Sequence, residues 1–277
     1  MFTLNCKGKL ITTETPLVMG IINATSDSFY RDDLSKGLSG IADLAKKMVA
    51  DGADILDIGG LSTKPGSIAV SEEAELERLL PVIEMIHLNF PEVIISADTY
   101  RSKVAAAAVK EGASMINDIS AGNLDAEMIN VVAKLNVPYV CMHMKGTPET
   151  MQHQTDYEDM IKEVLDYFIA KVEKCKSAGI KDIIIDPGFG FAKNAEQNFI
   201  LLKNLSVFKM LNRPLLAGLS RKSTVYKTLG ITPEEALNGT TVLNTLALNN
   251  GAAILRVHDV KEAKETVLLM KRYASAE

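Results

Sequence analysis

Six residues far apart in the chain carry groups that could act together: Asp98, Asn117, Asp186, Lys222, Arg256 and His258. Asp98, Asn117 and Asp186 are short, directional hydrogen-bonding groups. They could line the edge of a flat, nitrogen-rich heterocycle, at roughly 1.5–3 kcal/mol for each charge-assisted bond. Met142 and Phe191 could pack against the faces of such a ring. Lys222 lies in GLSRKS (218–223), and Arg256 and His258 lie in RVH (256–258), two segments with cations to offer a phosphate. Together they suggest a fused nitrogen heterocycle joined to a phosphate or pyrophosphate.

Other chemistries lack their residues. No GxSxG elbow, GxxxxGK[ST] loop or GxGxxG fingerprint is present, and the four histidines show no zinc spacing. Lys222 could in principle form a Schiff base. The net charge of −5 argues against nucleic acid, whose phosphate backbone needs a broad basic surface. No apolar run approaches the ~20 residues of a membrane span. Three cysteines without a metal pattern favour a reducing compartment, and no signal peptide is visible, so a cytoplasmic location is expected.

Eight short apolar runs could bring these residues together: 17–23, 54–60, 93–99, 114–120, 139–144, 182–188, 215–220 and 253–259. Each is rich in Ile, Val and Leu on both faces, as a strand covered on both sides reads. Amphipathic segments lie between them. In 158–175, Ile161, Val164, Leu165, Phe168, Ile169 and Val172 form one helical stripe; 41–49 and 260–270 repeat the pattern. The first, third, fifth and seventh runs follow Pro16, Pro91, Pro138 and Pro214. The others follow Gly52, Gly112, Gly179 and Gly251. Both residues stop a helix. At 277 residues, the chain suits one (β/α)8 TIM barrel, with a doubly wound sheet as the alternative. The start, FTLNCKGKLITTE, reads as a hairpin turning at Lys7-Gly8 and closing the barrel bottom.

In such a barrel the C-terminal strand ends face the active site. Those ends carry Asn23, Asp57, Asp98, Asn117 with Asp118, His143, Asp186, Ser220 with Arg221 and Lys222, then Arg256 with His258. Helix capping would explain Asp, Asn and Ser there. It does not suit Lys222, Arg256 and His258. Nor does it suit Asp57 and Asn117, which precede further apolar residues. An unpaired buried carboxylate costs several kcal/mol, so these groups should face each other, water or a ligand.

The blocks MGIINATSDSF (19–29), DIGGLSTKPG (57–66), SADT (96–99), NDIS (117–120), MHMKGTP (142–148), DPGFGFAKN (186–194), GLSRKS and RVHDV (256–260) together resemble the dihydropteroate synthase family, one block per strand in order. The resemblance implies a transferase of folate biosynthesis and a sulfonamide target. There p-aminobenzoate displaces pyrophosphate from 6-hydroxymethyl-7,8-dihydropterin pyrophosphate to give 7,8-dihydropteroate. It implies pterin contacts at Asp98, Asn117, Asp186 and Lys222, and a Mg²⁺ ligand at Asn23. Thr63, Arg256 and His258 would hold pyrophosphate; Phe29, Pro65, Phe191 and Ser223 would surround p-aminobenzoate. A dissociative path is expected, with Asp98 and Asp186 favouring positive charge on the pterin. The loops 24–40 and 61–70 would close over the pyrophosphate. A homodimer is implied, through helices in 234–250. Ser26 replaces the usual proline, which loosens the first loop. Lys64 replaces the usual arginine and lacks its bidentate fork.

Overall fold

The structure is a computed structural model; it describes residues 1–24, 34–61 and 70–276, with the backbone alone at 34–36. A two-stranded antiparallel hairpin, β1 (Thr3–Cys6) and β2 (Lys9–Thr12), comes first. Lys7 and Gly8 form its turn with φ of 54° and 93°. Two consecutive positive φ values give the twist that a tight hairpin needs.

Eight strands follow: β3 (Leu17–Asn23), β4 (Ile55–Gly59), β5 (Ile94–Asp98), β6 (Met115–Asp118), β7 (Tyr139–Met142), β8 (Ile183–Asp186), β9 (Leu216–Ala217) and β10 (Ile254–Val257). All neighbours pair in parallel, in the order β8-β7-β6-β5-β4-β3-β10-β9. The two ends meet through a parallel bridge between Ile185 and Leu215, where Ile185 N–H donates to the Pro214 carbonyl at 2.9 Å. The sheet is therefore a nearly closed barrel, and the doubly wound alternative is excluded.

The α-helices among the described residues are α1 (Leu34–Ala50), α2 (Glu72–Asn89), α3 (Ser102–Glu111), α4 (Met128–Leu135), α5 (Met160–Ser177), α6 (Ala195–Lys203), α7 (Ser223–Leu229), α8 (Leu237–Asn249) and α9 (Val260–Ala274). Their starts follow local chemistry. Ser71 caps α2 by accepting from Ala74 N–H, and Asp159 caps α5 by accepting from Lys162 N–H. Asn194 and Gln197 form a reciprocal capping box on α6. Gly52, Gly112, Gly179 and Gly251 all take positive φ, so the four glycines before alternate barrel strands are left-handed stops. One expectation fails on α5. Val164 and Phe168 are buried, but Ile169 is 51% exposed and lies off the stripe.

Strand alternation divides the core in two. Leu56 and Ile58 on β4 point outward into the large layer between sheet and helices. Ile55, with Ile94, Met115, Val140, Ile184, Leu216 and Ile254, fills the barrel interior. Leu4 and Cys6 of the hairpin join that interior cluster and close its lower end. Asn5 N–H donates to Asp182 at 2.9 Å, and Lys7 Nζ to the Val109 carbonyl at 2.8 Å, which fixes the hairpin across the barrel bottom. The three cysteines are free and buried. Among the described residues, no helix is long and apolar enough to cross a membrane.

Leu4 is only 1% exposed. Leu4→Ala is expected to lower stability by about 2–5 kcal/mol, the usual range for emptying a packed leucine site. Urea unfolding measures this. Activity per folded molecule should hold, because the plug lies at the end opposite the candidate site.

Candidate active site

Inward-facing positions continue upward from the apolar floor, and the next ones are polar: Asp57 on β4, Ser96 and Asp98 on β5, Asn117 on β6, Asp186 on β8 and Arg256 on β10. Parallel register sets Asp57 beside Ser96, and Asp98 beside both Gly59 and Asn117. Gly59 leaves open the space beside Asp98; a Cβ there would sit 3.5 Å from Asp98 Cβ.

Arg256 is the centre of this layer. Its Nε donates to Asp57 Oδ2 and its Nη2 to Asp98 Oδ2, both at 2.6 Å. Asp57 Oδ2 also accepts from Asn117 Nδ2 at 2.9 Å. Asp57 is fully buried, and its Oδ1 has no protein partner among the described residues. The Asp57 carboxylate can only accept, so it fixes the Asn117 amide with nitrogen toward Asp57 and leaves Oδ1 as an acceptor.

The second half of the site comes from the loop after β8 and the turn after β9. Asp186 Oδ1 accepts Gly188 N–H at 2.8 Å, and its second oxygen has no protein hydrogen bond among the described residues. Lys222 Nζ donates to the Phe189 carbonyl and stands 5.0 Å from the centre of the Phe191 ring. A Cβ at Gly218 would lie 3.6 Å from Lys222 Nζ and 3.9 Å from Arg256 Cβ, so the two cations share one end of the barrel. Met142, Ile119, Met144 and Ala192 form a small apolar cluster there, with Phe191 and Tyr100 packed against it.

Burial and facing charges set the titration. Burial pushes Asp98 up to about 7, against the pull of Arg256 and with help from the Asp57 charge. Burial raises Asp186 too, opposed by Lys222. Burial lowers Lys222 to about 8, opposed by Asp186. Burial also works against the charge on Arg256, but the carboxylates of Asp57 and Asp98 outweigh it and hold the group above its ordinary value.

The expected residues divide clearly. Asp98, Asn117, Asp186, Lys222 and Arg256 meet at one mouth, with Met142 and Phe191 beside them. His258 lies just beyond Arg256, exposed; its backbone N–H donates to Ser220 Oγ, which lies 3.1 Å from its Nδ1. Asn23 ends β3 with its side chain exposed, and Ser223 opens α7 half-buried. Phe29, Thr63 and Pro65, with Ser26 and Lys64, lie outside the described residues, as does most of both expected closing loops. Three rim residues do other work. Asp118 points away from the barrel axis and accepts from Tyr139 Oη at 2.6 Å and from Ser120 and Gly122 N–H. Arg221 forms a two-pronged pair with Asp259 and joins the turns after β9 and β10. His143 is buried beneath the 187–192 loop against Lys193. That lysine, and the orienting role of Asp57, escaped the sequence reading.

Comparisons with known proteins give the family. The family model "Pterin binding enzyme" matches residues 19–258. The dihydropteroate synthase of Escherichia coli (strain K12) is 41% identical over 275 residues, covering 99% of this chain and 97% of that one. Two solved structures of Xanthomonas albilineans dihydropteroate synthase superpose closely. The one with 4-aminobenzoic acid has a TM-score of 0.92 at 37% identity, covering 99% of each chain. The one in complex with 7,8-dihydropteroate has a TM-score of 0.89 at 34% identity, covering 100% of each. With a family model across most of the chain and a near full-length relative above 40% identity, this chain belongs to the dihydropteroate synthases, a family of pterin-binding enzymes.

Proposed function

We propose that this chain joins 6-hydroxymethyl-7,8-dihydropterin pyrophosphate to p-aminobenzoate, forming 7,8-dihydropteroate and releasing pyrophosphate. The observation that carries the reading is the arrangement around Arg256. Acceptors and cations lie in one mouth, and they fall into two groups. Asp186, Asp98 and Asn117 offer acceptors, so the bound ring must present donors, as the amino and ring N–H edge of a pterin does. Met142 and Phe191 supply apolar surface beside it. Arg256 and His258 stand toward the end where an anion would leave.

In the reaction, the C–O bond between the pterin methylene and pyrophosphate breaks, and the electron pair leaves with pyrophosphate. The amine nitrogen of p-aminobenzoate bonds to the methylene carbon and then releases a proton to water. An aryl amine is neutral at pH 7, so its lone pair is already available and no strong base is required. The difficult part is charge separation. Arg256 uses its Nε and one Nη2 hydrogen on carboxylates, leaving the Nη1 side of its fork for an oxyanion. In their ionised forms, favoured by Arg256 and Lys222 respectively, Asp98 and Asp186 place negative charge near the ring as positive charge develops, which favours a dissociative path. Ser223 is assigned to the p-aminobenzoate side, and Phe191 to the boundary between the pterin and p-aminobenzoate.

Mg²⁺ fits this site in one way. Asn23 offers a single hard, neutral oxygen at the mouth, and no cluster of three or more His, Cys, Asp or Glu side chains suited to a metal exists among the described residues. Mg²⁺ retains waters and takes further oxygens from substrate phosphates, so one protein ligand suffices. When bound, the ion would neutralise charge on the departing pyrophosphate.

A homodimer is proposed through α8, where Val242 and Leu246 are 51% and 44% exposed. A cytoplasmic location is proposed because the three cysteines are free.

Pyrophosphate release measured with and without p-aminobenzoate tests the reaction; release that ignores the amine would refute it. Arg256→Ala should lower turnover about 10²–10³-fold, as loss of a preorganised donor at a developing anion does. It should also cost about 3–5 kcal/mol of stability, because Asp57 is left buried and unpaired. Thermal melts separate the two effects, and full activity in folded Arg256→Ala protein would sink the assignment. In calorimetry, Mg²⁺ alone should bind weakly, whereas Mg²⁺ should strengthen pyrophosphate binding. Asn23→Ala should abolish that strengthening and leave Mg²⁺-free binding unchanged. Leu246→Glu should shift the protein to monomers in sedimentation; a monomeric parent protein would refute the dimer.

A further inference from the structure

Lys193 is 3% exposed and lies behind the wall that carries Asp186 and Phe191. Its Nζ reaches three acceptors: His143 Nδ1 at 3.0 Å, the Gly188 carbonyl at 3.2 Å and the Phe191 carbonyl at 3.0 Å. Burial lowers Lys193 to about 7, opposed by Asp186; its ammonium has three hydrogens, so in the charged form the count matches, and the three acceptors favour that form. Burial, then the charge of Lys193, then that of Lys145, lower His143 to about 2. Its imidazole is therefore neutral, and its Nδ1 can accept from the ammonium. The His143 ring is itself fixed edge-on against Tyr167, with centres 4.9 Å apart.

The loop that Lys193 grips is not relaxed backbone. Gly188, Gly190 and Ala192 all take positive φ, at 73°, 81° and 49°. Such a run costs energy at the alanine and persists only when contacts hold it. The loop also passes so close to β7 that a Cβ at Gly188 would fall 2.1 Å from the His143 carbonyl oxygen. Its remaining groups bond in other directions. Gly188 N–H donates to Asp186, the Phe189 carbonyl accepts from Lys222, Gly190 N–H donates to Asn198 Oδ1 at 2.7 Å, and the Ala192 carbonyl accepts from Tyr157 at 2.9 Å. Removing Lys193 would leave the Phe191 carbonyl without its donor and the Gly188 carbonyl with Phe191 N–H alone, at 3.1 Å.

We propose that Lys193 is a positioning residue: through Gly188 and Phe191 it holds the loop that aims Asp186, the Phe189 carbonyl and the Phe191 ring into the pterin pocket. The proposal rests on the reading of Asp186 and Lys222 as pterin contacts. Lys193 touches no substrate itself. It acts mainly on binding of the ring and only weakly, through Asp186, on departure of the pyrophosphate, because Arg256 and His258 belong to β10 and its following turn, which the 187–192 loop does not carry.

The test is steady-state kinetics of Lys193→Met, which keeps the apolar stem and loses the three donors, beside Lys193→Gln, which offers two donors on a shorter side chain. In Lys193→Met, KM for the pterin pyrophosphate should rise tenfold or more, while kcat at saturating pterin changes less than threefold. Lys193→Gln should fall between it and the parent. Hydrogen exchange should increase across 187–192 and stay unchanged in β4 and β10. A merely structural role would lower the folded fraction without splitting KM from kcat. Unchanged KM in both folded variants would overturn the proposal, and so would failure of both to fold, which would assign Lys193 to the folding core. Asp186→Asn separates the two levels of argument. If it weakens pterin binding while Lys193→Met does not, only this inference fails; if neither does, the pocket reading fails.

Discussion

A guanidinium inside a barrel is costly to desolvate, and the molecule tolerates it only because carboxylates come from two other strands. Arg256 on β10 bonds Asp57 on β4 and Asp98 on β5, residues 199 and 158 positions away in the chain. Those bonds require β10 to lie against β3, and β3 against β4, so they form only in the folded barrel. The cluster thus links folding to the site. Buried pairs of this kind add little net stability compared with apolar packing, and the breaking of one is strongly destabilising. Below it, the interior is filled by Ile55, Ile94, Val140, Ile184 and Ile254, which shows that these strands pack well without charge. Polar groups enter only in the upper layers, where a ligand can reach them.

The same cluster sorts its members by task. Asp57 is fully buried and spends one oxygen on both Arg256 and Asn117. It orients two neighbours without facing the mouth. Asp98 and Asp186 each keep an oxygen free of protein hydrogen bonds among the described residues, so they can accept from a ligand. Lys222 and Arg256 stand near the same glycine, Gly218, and set positive charge beside that acceptor edge. A pocket with acceptors along one edge and cations at an end selects a molecule that is donor-rich at one end and anionic at the other.

Much of this was legible before any coordinates. Eight doubly apolar runs, with proline and glycine punctuation, give the barrel; the polar residue ending each run gives the mouth. The hairpin was readable from Lys7-Gly8. The errors have one physical source. A strand buried on both faces shows no alternation of polar and apolar residues, so neighbouring polar residues cannot be assigned to the inside or outside. Asn117 and Asp118 are adjacent and chemically similar, yet one faces the axis and the other accepts from Tyr139 on the outer side. Ser120 and Gly122, whose N–H groups Asp118 accepts, were a local clue that it makes a turn. Arg221 carried no such clue, because its partner Asp259 lies 38 residues on. Ile169 shows the same limit in a helix: residue type suggested the stripe, and packing put it in solvent.

The loop after β8 explains why glycine recurs in DPGFGFAK. Asp186 must end a strand whose neighbour, β7, lies directly beside it, since His143 N–H donates to the Asp186 carbonyl at 3.0 Å. The chain then has to turn across the top of β7 at once. Only a residue without Cβ can pass the His143 carbonyl at Gly188, and the positive φ there and at Gly190 exposes consecutive carbonyls on different sides. Those carbonyls need donors. Lys222 meets Phe189 from the mouth, and Lys193 meets Gly188 and Phe191 from behind. The two lysines therefore hold one short segment from opposite sides, and the direction of the Asp186 carboxylate follows from that balance as much as from the strand that carries it.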